Sequence, residues 1–233
     1  MSDIKIRRLM VIEPHPDDYI LMCGATARKL IDKEAEVYVV TFTNSGATFA
    51  DKEKHRLERS EESARADKIL GTTAREILEF ETRESWDKPS KIYNALLERI
   101  RKIQPDTIIT MHYDRRHPDH MWISQFIEPL VYQASENIRP DWGESIKARV
   151  LIAENPRSQL TEPNSYIDVT GTYQSKEEAL REQTSQLDIL GPRIFQDMKV
   201  LAEYRAIGMP EKVKYCEAFK EIPIHKENEL YEL

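Results

Sequence analysis

Hydrophobic and polar positions along this chain switch repeatedly between two spacings, and the switches lay out its secondary structure. Leu9-Met10-Val11-Ile12 is an uninterrupted apolar run, the pattern of a strand covered on both faces. Over residues 21–32 the spacing becomes helical, with Leu21, Ala25, Ala27, Leu30 and Ile31 on one face and Gly24 allowing close packing. Residues 37–42 return to a buried strand rich in β-branched side chains, followed by the loop Thr43-Asn44-Ser45-Gly46. A charged, amphipathic helix is predicted over 54–70, stopped by Gly71. A short strand at 77–80 precedes a helix over 89–103, where Ile92, Leu96, Leu97, Ile100 and Ile103 recur at helical spacing and Pro105 ends the run.

The same alternation continues to the end of the chain. Residues 107–111 form another buried strand, and the loop after it runs to His120. A helix over 121–136 follows, then a strand at 150–153 and a further candidate at 166–169. Residues 173–190 and 195–204 are predicted helices, and 213–219 a closing strand. Strands and helices alternating at these lengths require crossover connections, so the expected class is α/β, a mostly parallel twisted sheet flanked by helices in one domain spanning 1–233. The proline-containing stretch 137–144 is the expected excursion from it.

Composition narrows the function. A formal net charge of -7 disfavours a nucleic-acid or anionic-membrane partner. Two cysteines make no disulfide framework and suit a reducing compartment. No apolar run approaches the roughly 20 residues of a membrane span, and residues 1–8 hold no signal-peptide core, so a cytoplasmic location is expected. The absence of a Gly-x-Gly-x-x-Gly or any phosphate-binding glycine loop removes the usual nucleotide cradle.

Candidate chemistry concentrates in two loops, each at the carboxyl end of a predicted parallel strand: His15-Pro16-Asp17-Asp18 and His117-Pro118-Asp119-His120. Three of the six histidines lie in these two segments, which argues against chance placement. Strand carboxyl ends in open α/β sheets are where ligands sit. His15 and Asp18, three apart around a proline-stiffened turn, can converge on one cation with His120 as third ligand, the donor set of a catalytic zinc with one position open to water. Asp17 is then placed as general base. His117 would protonate the leaving amine or stabilise an oxyanion, with Asp119 holding its other ring nitrogen. A plainer reading makes His15–Asp18 a helix N-terminus whose carboxylates complement the dipole.

These paired motifs resemble the PIG-L/LmbE family of zinc-dependent N-deacetylases. The resemblance extends to Cys23-Gly24-Ala25-Thr26, Thr43-Asn44-Ser45-Gly46, Arg59 with Glu62, Pro105-Asp106, Ser185-Gln186 and Tyr215 to Phe219. It implies a Rossmann-like fold, a Zn2+ cofactor (with Fe2+ the alternative) held by His15, Asp18 and His120, and Asp17, His117 and Asp119 as catalytic groups. The implied substrate is an acetylated amino sugar of the N-acetylglucosamine type or its conjugate. The chain departs from the family pattern at Tyr19, Ala25 and Gln183, which touches the substrate rather than the metal core.

Arg59 is expected either to reach the substrate, as the resemblance implies, or to pair with Glu62 along its helix. Arg116, with Arg115, is expected to bind an oxyanion or polar substituent, and Asp87 to contact sugar hydroxyls or to cap the helix starting near Pro89. His55 and His225 are expected at the surface, and Cys23 and Cys216 as small buried hydrophobes. Three rivals remain within reach of the sequence: an amidase for a larger amide such as a thiol conjugate, a metal-binding module without turnover, and a phosphoesterase. The last needs more clustered carboxylates than these loops supply. Pairing into trimers or hexamers would suit such a sheet.

Overall fold

The computed structural model describes residues 6–45, 51–113, 116–160 and 162–224. Its sheet is organised around β1 (Arg8–Glu13), whose Leu9, Met10, Val11 and Ile12 are fully buried. From β1 the chain runs through α1 (Asp18–Ile31), β2 (Glu36–Thr43), α2 (Lys52–Leu70) and β3 (Ala74–Phe80), each strand pairing parallel with the one before it. Then α3 (Pro89–Ile103) carries it back across the sheet to β4 (Thr107–Met111), which pairs parallel with the free side of β1 at Leu9–Thr107. Next come α4 (Pro118–Ser135), a single 3-10 turn at Pro140–Trp142 within the expected excursion, and β5 (Arg149–Ala153), parallel to β4. The remaining elements are β6 (Ser165–Asp168), α5 (Tyr173–Arg181), α6 (Thr184–Leu190), α7 (Ile194–Ala206) and β7 (Cys216–Ile222).

The strand order is β3-β2-β1-β4-β5-β7-β6, five parallel strands followed by β7, which runs antiparallel to both its neighbours. The crossovers move away from β1 in one direction and away from β4 in the other. With right-handed connections, this reversal puts α1 and α2 on one face and α3 and α4 on the opposite one. Packing agrees: α1 and α2 contact α5, whereas α3 contacts α4. A reversal of this kind opens a crevice above the carboxyl ends of its two central strands. Here those strands are β1 and β4.

Most departures from the expected elements are shifts of a few residues at their ends. Gly71 closes α2 in the left-handed region (φ 82°), its N–H donating to the Asp67 carbonyl, as its position predicts. Two departures matter for function. The helix after β4 starts at Pro118, so Asp119 and His120 lie in its first turn and not in a loop. The helix expected over 173–190 is two helices, broken at Gln183 (ψ 51°).

Candidate active site

The chain leaves β1 through Pro14 and turns at once. The Asp18 N–H donates to the His15 carbonyl (3.1 Å), with Pro16 and Asp17 between them. Pro16 brings its fixed φ, and Asp17 (φ -102°, ψ -16°) has the geometry of the third residue of a type I turn. Asp18 Oδ2 accepts the His15 backbone N–H (3.0 Å) and lies 3.1 Å from Nδ1 of the same histidine. Asp18 also opens α1, so it complements the helix N-terminus while presenting its carboxylate to the imidazole.

The floor of this turn is tied down by Glu13, which sequence reading passed over. Its fully buried carboxylate accepts the Tyr19 N–H in the first turn of α1 and the Thr41 hydroxyl, both at 2.5 Å, and pairs with Arg75. A lone glutamate at a strand end looks solvent-facing in sequence. Its partner is 62 positions away.

At the second loop, His117 precedes α4 with Pro118 in its first turn, where a missing N–H is tolerated. The His117 Nδ1 accepts the Asp119 N–H (3.3 Å). Asp119 thus holds the expected ring nitrogen of His117 through its backbone and not its carboxylate, whose Oδ2 stands 3.8 Å from His117 Nδ1, beyond hydrogen-bond reach. Instead Oδ2 faces His15 Nε2 (3.2 Å) and accepts the Arg83 N–H (2.8 Å), while Oδ1 accepts the Ser85 hydroxyl (2.6 Å). The helical start explains the change, because neighbouring helical positions point about 100° apart and Asp119 is turned into the interior. Its role in the fold is to orient His15.

The two loops meet. His15 Nδ1 is 3.1 Å from Asp18 Oδ2 and 3.1 Å from His120 Nε2, and the latter two are 3.3 Å apart. Tetrahedral bonds of about 2.0–2.1 Å place ligand atoms about 3.3 Å apart, so the triangle has the size that one zinc ion requires. The three histidines offer a second, wider set, with the ligand atoms of His15, His117 and His120 all within 4.8 Å of one another. Either set fits a divalent cation, and both share His15 and His120.

Charge in the cluster is uneven. Burial pushes the Asp18 carboxyl up, but His120 and His15 beside it more than offset this and hold it well below the usual carboxylate range. Burial opposes ionisation of Asp119 too, yet bonding to His15, Ser85 and the Arg83 amide brings it down to about 2. His117 is pulled down to about 4 by burial and by the neighbouring imidazoles, which keeps it neutral. With Nδ1 accepting the Asp119 N–H, the proton of neutral His117 belongs on Nε2.

Asp17 is buried, and its Oδ1 accepts from Arg59 Nη2 at 2.5 Å. Among the described residues no donor reaches its other oxygen. Arg59 is 1% exposed; its Nη1 donates to Gln183 Oε1 (3.0 Å) and stands 3.8 Å from Glu62 Oε2. Glu62 in turn accepts the Thr184 hydroxyl (2.7 Å), the Ser185 N–H (2.6 Å) and the Ser185 hydroxyl (2.7 Å). The helical pair with Glu62 is therefore a minor contact, and Arg59 bridges Asp17 to the turn before α6. These contacts pull Gln183 out of helical geometry and explain the break between α5 and α6.

Above the cluster lies a cleft of about 380 Å³ whose wall includes Ile189 and Leu190 of α6. His15, Asp17, Asp18, Arg59, His117 and His120 all line it, as does Arg116, whose Nη2 donates to the Arg157 carbonyl. Arg83 and Arg157 line it as well, unforeseen from sequence because each stands alone in its loop. Asp87 does not line it: the residue is exposed, Lys88 takes the N-cap position of α3, and Asp87 makes no capping bond. His55 is buried at the cleft instead of surface-exposed. Cys23 and Cys216 are buried free thiols as expected. Gly46, Arg115 and His225 lie outside the described residues, among which no helix is long and apolar enough to cross a membrane.

Comparison with known proteins adds to this geometry. The family model described as PIG-L, GlcNAc-PI de-N-acetylase, matches residues 10–131. The chain is 25% identical over 197 residues to a diacetylchitobiose deacetylase of Thermococcus kodakarensis, covering 78% of this chain and 70% of that one. It is 25% identical over 193 residues to a probable N-acetyl-α-D-glucosaminyl L-malate deacetylase of Bacillus cereus, covering 79% and 86%. Among solved structures, an N,N'-diacetylchitobiose deacetylase of Pyrococcus horikoshii superposes with a TM-score of 0.78 at 22% identity, over 94% of this chain and 85% of that one.

Proposed function

The chain belongs to the PIG-L family, and from that premise we propose that it is a zinc-dependent hydrolase removing an N-acetyl group from an N-acetylglucosamine-type compound. The observation that carries the reading is the convergence of His15 Nδ1, Asp18 Oδ2 and His120 Nε2 within 3.1–3.3 Å of one another, beside an Asp17 carboxylate held at one oxygen only. These three residues are the ligands we assign, because their spacing suits about 2.0–2.1 Å bonds more closely than the wider histidine set does. When bound, the cation supplies Lewis acidity that activates water and polarises the amide carbonyl.

The chain's own groups do the rest. Arg59 fixes Asp17 through Oδ1, so Oδ2 takes the proton of the attacking water. Neutral His117 donates its Nε2–H to the oxygen that becomes negative as the carbonyl carbon turns tetrahedral. With its Nδ1 taken by the Asp119 N–H, His117 serves as the oxyanion donor, and the proton needed by the departing nitrogen comes back from Asp17. The C–N bond then breaks, releasing the amine and acetate. Asp119 keeps His15 oriented through its Nε2.

Elemental analysis paired with acetate release from acetylated amino sugars tests the whole scheme. Near-stoichiometric zinc is expected in both the wild type and Asp17→Asn, with turnover at least about 1,000-fold lower in the variant. Metal-free wild-type protein that still releases acetate, or an active Asp17→Asn, would refute it.

A further inference from the structure

We infer that the substrate carries a negatively charged substituent, a carboxylate or phosphate, beside its acetamide, and that Arg83 and Arg157 recognise it. This rests on the deacetylase reading above and narrows its substrate class. Arg83, Arg116 and Arg157 stand on three different loops, those after β3, β4 and β5, and all three line the cleft. The carboxylates of the lining are Asp17 and Asp18. The first is taken by Arg59, and the second faces His15 and His120. Arg157 donates from Nη2 to the Leu190 carbonyl (2.8 Å), a neutral acceptor that places the guanidinium without cancelling its charge. Among the described residues no carboxylate pairs with Arg83 or Arg157.

The backbone at Arg83 adds an independent sign. It sits at φ 73°, a left-handed conformation that glycine adopts freely and an arginine does not. The Asp119 carboxylate holds it there by accepting its N–H (2.8 Å). A glycine would make that backbone bond with less strain, so what arginine adds at the position is its side chain. The same Asp119 oxygen orients His15, which ties the cation at the mouth to the reacting centre. Nor is this a basic protein showing its average surface, since the chain carries a net charge of -7. Guanidinium groups engage carboxylate and phosphate through paired, charge-assisted N–H donors, whereas a neutral sugar offers them single hydroxyl acceptors and no opposite charge.

The test uses zinc-loaded protein and three probes: the methyl glycoside of N-acetylglucosamine, N-acetylglucosamine 1-phosphate, and N-acetylglucosamine glycosidically linked to a hydroxy-dicarboxylic acid. Acetate release gives kcat/KM for each, and calorimetry measures binding of the corresponding free amines. Preference for one or both anionic probes is expected, and which one identifies the anion. In Arg83→Gln and Arg157→Gln the ratio of anionic to neutral kcat/KM should fall about tenfold or more, mainly through KM. Equal turnover of the neutral and anionic probes by the wild type, or an unchanged ratio in both variants, would overturn the inference and leave the deacetylase reading standing. Acetate from none of the three would sink that reading instead. The binding arm then decides the anion site: tighter binding of the anionic amines, weakened in both variants, supports it, and equal binding of charged and neutral amines rejects it.

Discussion

The floor of the cleft and its α6 wall are built in opposite ways. The floor is a set of buried and half-buried polar side chains, each oriented by hydrogen-bond partners from elsewhere in the chain: His15 by the Asp119 carboxylate, Asp119 by Ser85 and the Arg83 amide, Asp17 by Arg59. The wall is a short helix with no buried residue, exposing Ile189 and tied to α2 by the three hydrogen bonds of Glu62 and by Gln183. Groups packed in the interior and held by directional bonds have few alternative arrangements, whereas an exposed helix on a few tethers has many. On the proposed reading the floor sets the reaction and the wall and mouth choose the substrate, so the two should respond separately to mutation.

The most damaging change should be to the floor itself. His120→Ala removes one corner of the 3.1–3.3 Å triangle and leaves two ligand atoms, too few for a catalytic zinc site. Zinc content should fall well below stoichiometric and acetate release should drop at least about 10,000-fold. Chelation of the wild type should reproduce the loss, with recovery on adding zinc. Full zinc occupancy in His120→Ala would mean that His117 completes the site, and the wider histidine set would be the right one.

Arg59→Met reaches floor and wall together, since its guanidinium bonds Asp17 and Gln183 at once. Removing one member of a buried ion pair leaves the other charge uncompensated, at about 3–5 kcal/mol. Thermal unfolding should report that loss, and kcat should fall about 10- to 100-fold as Asp17 loses its orientation. A variant with wild-type kcat would separate Asp17 from the base role assigned to it.

The sequence made the floor legible and the wall illegible, for a physical reason. His15, Asp17 and Asp18 belong to one proline-stiffened turn after an apolar strand, so residues adjacent in the chain already encode their geometry. The β1/β4 reversal, which makes that turn meet the start of α4, follows from alternating strands and helices. By contrast, the break at Gln183 has no glycine or proline to announce it and depends on Arg59, 124 positions earlier. Burial of His55 depends likewise on packing that a charged helix does not reveal. Asp119 meets His117 through its backbone N–H while its carboxylate turns to His15, because the helix begins at Pro118 and a shift of three residues redirects a side chain completely. Arg83 lies in a turn where only its φ distinguishes it.

The smallest effect, and the sharpest division between the regions, is expected from Glu62→Gln. The glutamine keeps the shape of the side chain but replaces one acceptor oxygen with an amide that cannot accept, so the three donors of Thr184 and Ser185 no longer all find partners. Thr184 is exposed and Ser185 half-buried, so a donor that loses Glu62 can turn to water, and the start of α6 is free to shift at little cost. Glu62 lies 3.8 Å from Arg59, beyond hydrogen-bond reach, so the hold of Arg59 on Asp17 should persist through its shorter 2.5 Å contact. The expected signature is a rise in KM of about 3- to 10-fold, a smaller change in kcat and full zinc content. If kcat falls as far as in Arg59→Met, the tether of the wall is also part of the floor, and reaction and recognition are not housed apart in this molecule.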